Sequence, residues 1–156
     1  MRELSRAELR ACCASAAWAD AVAGAGPYAG LEEMAHASDR VIAELAWADV
    51  EEALAAHPRI GERAAGDARE AAWSRQEQSG AAGAGQAVLD DLRSGNEAYE
   101  RRFGHVYLVC ATGRGAEEIR DILLARLDND AETERAVVRA ELAKIVKIRL
   151  AKIENL

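Results

Sequence analysis

Residues 132–153 read ETERAVVRAELAKIVKIRLAKI, and the reading of this stretch decides the fold. On a helix of 3.6 residues per turn, Val138, Leu142, Ile145 and Arg149 fall at about 0°, 40°, −20° and 20° around the axis, while Lys144 and Lys147 turn away. The spacing predicts one long helix from Glu132 to about Ile153, with an arginine inside its apolar arc. An arginine there needs an anionic partner, either a carboxylate of the protein or one of a ligand, unless its stem snorkels to water.

Working back towards the N-terminus, a helix is expected from about Ala116 to Leu127, after a turn at Gly113 to Gly115. Val88, Leu89, Leu92, Tyr99 and Phe103 define one long helix or two joined near Gly95. Val106 to Cys110 is an apolar run too short to type by periodicity, and it reads as an extended segment crossing the core. Gly80 to Gly85 and Gly61 to Gly66 are breaks on either side of a short helical piece around Trp73 to Gln78. Pro58 stops a helix of roughly Ala48 to Ala56, so His57 sits at its exit. A further helix from about Leu31 to Ala46 carries Leu31, Met34, Ala35, Ile42 and Leu45 at helical spacing. Ser5-Arg6-Ala7-Glu8 is a capping-box pattern that opens a first helix running to about Trp18 or beyond, before the break at Gly24-Ala25-Gly26-Pro27. The expectation is an all-α, single-domain helical bundle over residues 1–156, with one short extended segment near Val106–Cys110 and no repeat, linker or appended module.

Composition agrees. A chain of 156 residues buries roughly 70% of its unfolded surface and needs no disulfide or metal to fold. Aromatics are 4% and charged residues 30%, the profile of alanine-rich packed helices. The net charge of −7 argues against a nucleic-acid partner or an anionic membrane surface, and leaves a small anionic substrate open. Cys12, Cys13 and Cys110 are odd in number and lack a C-x-x-C, so small buried hydrophobes in a reduced compartment are expected. The charged N-terminal residues lack a signal-peptide core, no run approaches a membrane span, and Glu154-Asn155-Leu156 is not a peroxisomal address, which points to the cytoplasm.

Three constellations could carry chemistry. In His57-Pro58-Arg59-Ile60-Gly61 a histidine at a helix exit, fixed by proline, is a rigid placement for a proton donor or acceptor; the bland alternative is a histidine that satisfies loose helix-end carbonyls. In Ser74-Arg75-Gln76-Glu77-Gln78 the Ser-x-x-Glu spacing is itself a capping box, and the functional alternative is a helix start whose amides and side chains hold a polar ligand. Arg149 is the third. His36, His57 and His105 have no metal-ligand spacing, Gly113-Arg114-Gly115 is no phosphate loop, and no covalent-nucleophile motif is present.

Together these residues resemble the 2-oxo-4-hydroxy-4-carboxy-5-ureidoimidazoline (OHCU) decarboxylase family. His57-Pro58-Arg59-Ile60-Gly61 looks like its H-P-x-x-G signature and Ser74-x-x-Glu77-Gln78 like its S-x-x-E-Q motif. Asn96-x-x-Tyr99-x-x-x-Phe103-Gly104, Val109 to Gly113, the Ile119–Asn129 stretch with Arg126-Leu127, and Lys147-Ile148-Arg149-Leu150 follow in the family's order. Cys12 to Trp18 and Pro27-Tyr28 match more loosely. The chain departs from the pattern where Phe103-Gly104-His105-Val106-Tyr107 replaces F-G-F-x-F.

The resemblance implies an all-α fold, a homodimer, no cofactor and no metal, and a reaction that turns OHCU into (S)-allantoin in urate catabolism. It assigns His57, Glu77 and Arg149 as catalytic. It places the small-molecule substrate among Pro58, Ser74, Arg75, Gln76, Gln78 and the backbone of Val109, Cys110, Ala111, Thr112 and Gly113. Two alternatives stand beside it: a non-enzymatic helical interaction or regulatory module, and a family member with a shifted substrate, to which the His105-Val106-Tyr107 departure points.

Overall fold

Ser5 opens the first helix, α1 (Arg6–Cys12), as a true capping box: its hydroxyl accepts from the Glu8 amide at 3.1 Å and the Glu8 carboxylate accepts from the Ser5 amide at 3.1 Å. The chain then leaves the helical region at Cys13 (φ −151°, ψ 117°) and restarts as α2 (Ala16–Gly24), whose cap Ser15 accepts from the Trp18 amide at 3.2 Å. The expected single helix to Trp18 is thus two. Ser15, completely buried, offers the backbone a competing hydrogen bond that starts a new helix.

The computed structural model describes residues 1–60, 73, 74, 76, 77 and 85–154. After α2 come α3 (Leu31–Glu44), α4 (Trp47–Leu54), α5 (Gln86–Phe103), α6 (Ala116–Arg126) and α7 (Ala131–Glu154). Every expected long helix is present within a few residues, and the described residues contain no strand. The chain forms two compact units, Met1–Ala56 with Arg139–Leu156, and His57–Val138, so α7 gives its first turns to one and the remainder to the other.

In the first unit α2 packs on α1, α3 and α4. Trp18, Val22, Ile42, Val50, Leu142, Val146 and Leu150 are fully or almost fully buried there, and the Trp18 indole donates to the Ser38 hydroxyl at 3.0 Å. Leu142, Ile145 and Arg149, from the apolar arc read in the sequence, are all buried, and Lys144 and Lys147 are exposed as expected.

In the second unit α5 packs on α6 around a core of Ile60, Leu92, Tyr99, Tyr107, Val109, Ala111, Ile119 and Leu123. Gly95 does not split α5. A Cβ there would stand 2.6 Å from the Leu123 side chain, so the glycine serves close helix approach and the helix runs on through it. Residues 106–111 carry neither helix nor strand, and Tyr107 to Ala111 are buried, matching the expected non-helical core segment.

Candidate active site

His57 follows α4 by three residues. The helix closes at Ala55, whose amide donates to the Glu51 carbonyl at 3.0 Å, and the chain then bends, leaving His57 and Pro58 half-buried. The next two residues are tied to α5. The Arg59 guanidinium meets the Glu100 carboxylate at 2.8 Å, and the Ile60 carbonyl accepts from Asn96 Nδ2 at 3.0 Å. The strap that carries His57 and Pro58 is therefore anchored just beyond them. A cleft of about 430 Å³ opens over this anchor, lined by Arg59, Ile60, Leu89, Arg93, Asn96, Glu97 and Glu100.

Trp73, Ser74, Gln76 and Glu77 are helical; Ser74 is buried, Glu77 half-buried and Gln76 exposed. Because Trp73 is already helical, Ser74 lies inside the helical piece and is not its flanking cap residue. The same spacing at Ser5 and Glu8 forms a capping box with both hydrogen bonds present. Arg75 and Gln78, also expected at the site, lie outside the described residues, as does Gly61.

The Val109–Gly113 segment is held by two of its own carbonyls and by the one just before it. Leu108 O accepts from Arg126 Nη1 at 2.7 Å, Cys110 O from Arg114 Nε at 3.2 Å, and Ala111 O from the Arg114 amide at 3.0 Å. Tyr107 is pinned by its own hydroxyl, which donates to the Ile119 carbonyl at 2.9 Å. Val109, Cys110 and Ala111 are buried, and the chain then surfaces at Thr112 and Gly113, where a turn takes Gly113 to φ +79°, a conformation glycine adopts without strain. Cys12, Cys13 and Cys110 are buried thiols, as expected.

Arg126 belongs to a buried network that the sequence reading named only as part of a motif. Its guanidinium meets the Glu134 carboxylate at 3.0 Å through Nε and 2.5 Å through Nη2, and lies 4.9 Å from the Tyr107 ring centre and 5.9 Å from that of Tyr99. The Tyr99 hydroxyl also donates to Glu134, and Asn129 Nδ2 does so at 3.1 Å. Burial works against the Arg126 charge, but hydrogen bonding and attraction to Glu134 outweigh it and leave its pKa above the ordinary value. Burial first, and then the bond to Glu134, push the Tyr99 phenol well above its usual range. The signal was available. Ile119, Leu123 and Arg126 fall at about 0°, 40° and −20° on a helical wheel, the same pattern that singled out Arg149.

Arg149 is completely buried, as its place in the apolar arc of α7 implied. Of the site residues read from the sequence, His57, Pro58, Ser74, Gln76, Glu77 and Val109–Gly113 belong to the second unit, and Arg149 to the first. Among the described residues no group of three or more His, Cys, Asp or Glu side chains could hold a metal ion, and no helix is long and apolar enough to cross a membrane.

A crystal structure described as OHCU decarboxylase in the presence of (S)-allantoin matches with a TM-score of 0.81 and 28% identity, over 94% of this chain and 96% of that one. The chain belongs to the OHCU decarboxylase family, whose model matches residues 2–151. It is 30% identical to a uric acid degradation bifunctional protein of Arabidopsis thaliana, over 97% of this chain and 48% of that protein, so it spans about half the length of that relative. A 2-oxo-4-hydroxy-4-carboxy-5-ureidoimidazoline decarboxylase of Amia calva is 29% identical over 86% of this chain and 78% of its own.

Proposed function

We propose that this protein is a cofactor-independent carboxy-lyase that converts OHCU to (S)-allantoin in urate breakdown, working as a homodimer in the cytoplasm. The observation that carries the reading is a family match spanning residues 2–151 and including both the His57-Pro58 strap and the Ser74–Glu77 helical piece. The buried thiols suit a reducing compartment.

The substrate bears a carboxylate and a hydroxyl on one ring carbon, next to an imine carbon. When the carboxylate leaves as CO₂, its bonding pair forms a carbon–carbon double bond and the imine pair moves to nitrogen, which takes a proton. The resulting enol loses its hydroxyl proton and gains one at the neighbouring carbon, giving the ketone of allantoin with one proton consumed overall. The ring is its own electron sink, so the protein's part is to bind, orient and move protons. In this reading His57 handles the hydroxyl proton, and its half-buried place on an anchored strap suits a group that must meet one atom reproducibly. Glu77 orients His57 or the ureido arm, and Ser74 and Gln78 hold that arm. Arg149 holds an anionic or carbonyl oxygen, Pro58, Arg75 and Gln76 shape the pocket, and main-chain amides of Val109 to Gly113 grip ring oxygens.

The test is a coupled assay with freshly generated OHCU, with allantoin chirality followed by circular dichroism. Wild-type turnover is expected, and His57→Ala should fold yet lose about 10²–10⁴-fold in kcat. An inactive wild-type protein would favour the interaction-module alternative. A His57→Ala variant that kept more than about a tenth of kcat would remove His57 from the proton-transfer role.

A further inference from the structure

We propose that Arg126, braced by Glu134 and Tyr99, is a positioning residue for the reaction: through the Leu108 carbonyl it aims the Val109 amide, the first of the Val109–Gly113 segment, at the substrate. The inference rests on the reading that this segment grips the ring.

A peptide unit is planar and trans, so its carbonyl and the following amide point to opposite edges of one plane. Anchoring the Leu108 carbonyl on Arg126 at 2.7 Å therefore fixes the direction of the Val109 N–H. The Arg114 contacts to the Cys110 and Ala111 carbonyls fix the Ala111 and Thr112 amides in the same way. Arg114 is half-exposed and its guanidinium also pairs with Glu118 at the surface, so its hold yields to solvent. Arg126 is 6% exposed. Its guanidinium is fixed on one edge by Glu134 and over its face by the Tyr107 ring, and Glu134 is itself held by Tyr99 and Asn129. A carboxylate with four donors around it leaves Arg126 no second orientation. Nothing in holding a loop requires so rigid an anchor, and one hydrophobic side chain would fill the space at lower desolvation cost. Rigidity matters where amides must meet an oxygen as its charge develops, since a displacement of 1 Å in a positioned group can cost about 10²-fold in rate.

The test compares wild type, Arg126→Lys and Tyr99→Phe. Lysine keeps the charge beside Glu134 but cannot hold both the carboxylate and the Leu108 carbonyl in one plane. Tyr99→Phe removes only one brace and keeps the fold if Arg126→Lys does not. Two readouts are taken well below the melting temperature: steady-state kinetics on OHCU, and the backbone amide NMR shifts of Val109–Gly113 on adding (S)-allantoin. Wild-type amides should respond to allantoin. Arg126→Lys should lose about 10- to 100-fold in kcat with KM changed by less than about 3-fold, and its amide response should shrink; Tyr99→Phe should lose a few-fold in kcat. If the wild-type amides ignore allantoin while turnover is normal, the segment does not grip the ring and the inference falls with that reading. If they respond in wild type and the variants respond equally with unchanged kcat, merely melting lower, the network is structural and the inference alone is overturned.

Discussion

Arg139, in the unit of Met1–Ala56 and Arg139–Leu156, and Arg126, in the unit of His57–Val138, both hold main-chain carbonyls, and they differ in burial. Arg139 closes the end of α3. Its guanidinium donates to Ile42 O at 2.7 Å and Leu45 O at 2.8 Å and stands 5.7 Å from a Trp47 ring centre. It is half-buried, and the last-turn carbonyls of a helix carry partial negative charge, so those contacts and water support its own charge. Arg126 is buried, and its one carbonyl contact comes with the Glu134 carboxylate and two ring faces. The comparison teaches that burial, rather than the job of holding a carbonyl, decides whether an arginine must bring an anion with it.

The sharpest way to break that contrast is to remove the buried cation. Arg126→Met keeps much of the apolar stem but leaves Glu134 as an unpaired buried charge and Leu108 O without its donor. The expected loss of stability is about 3–5 kcal/mol. Replacing Glu134 by Leu in the same chain should return a substantial part of it, because the stranded charge is then gone. Urea unfolding of the two variants measures both. A single-variant loss under about 1 kcal/mol, or no recovery in the double variant, would mean that the pair is not the charge-balancing unit its geometry describes.

Arg139→Met should cost less, about 1–2 kcal/mol, since no carboxylate is stranded and water can reach some of the freed carbonyls. Decarboxylation by the folded variant should be unchanged. Urea unfolding and the coupled assay read the two quantities. A loss as large as that of Arg126→Met would erase the distinction between the sites.

Much of this was legible in the sequence where a long period was available. The apolar arc of α7 identified a helix and a completely buried Arg149, and the spacing around Gly95 left α5 open as one helix or two. That choice could not be made from α5 alone, because it depends on Leu123 of another helix standing where a Cβ would be. The split between α1 and α2 was missed for a related reason: a serine hydroxyl that can cap a helix looks in sequence like any other helical serine until its burial is known. Arg126 and Glu134 were readable by the same wheel that exposed Arg149. Their pairing was not, because residues eight apart on two helices, joined by a turn at Leu127–Asp128, are brought together by the turn and not by any helical period.

A third arginine extends the comparison to the surface. Arg2 also holds a carbonyl, Ile153 O at 3.2 Å, and like Arg126 it has a carboxylate: Glu8 meets its two terminal nitrogens at 3.2 and 2.8 Å. The geometry is bidentate, but both partners face water, so screening leaves this pair the least of the three in energy. Its signature is pH. The Arg2 hydrogen bond, followed by that of the Ser5 amide, holds the Glu8 carboxyl down to about 2 from an ordinary 4.5. A carboxyl whose folded pKa is depressed stabilises the fold above its unfolded value and loses that contribution as protons bind in the folded state. The Glu8 contribution is therefore complete above pH 4.5 and fades between 4.5 and about 2. Thermal melting from pH 6 to pH 2 should show a shallower acid decline in Glu8→Gln than in wild type, with the difference shrinking in 1 M salt, where the screening length is only about 3 Å. Identical acid profiles at low salt would show that the ion pair contributes nothing despite its geometry. A difference that survived in high salt would show that Glu8 acts through the capping box with Ser5, a short-range bond that salt barely screens, and not through Arg2.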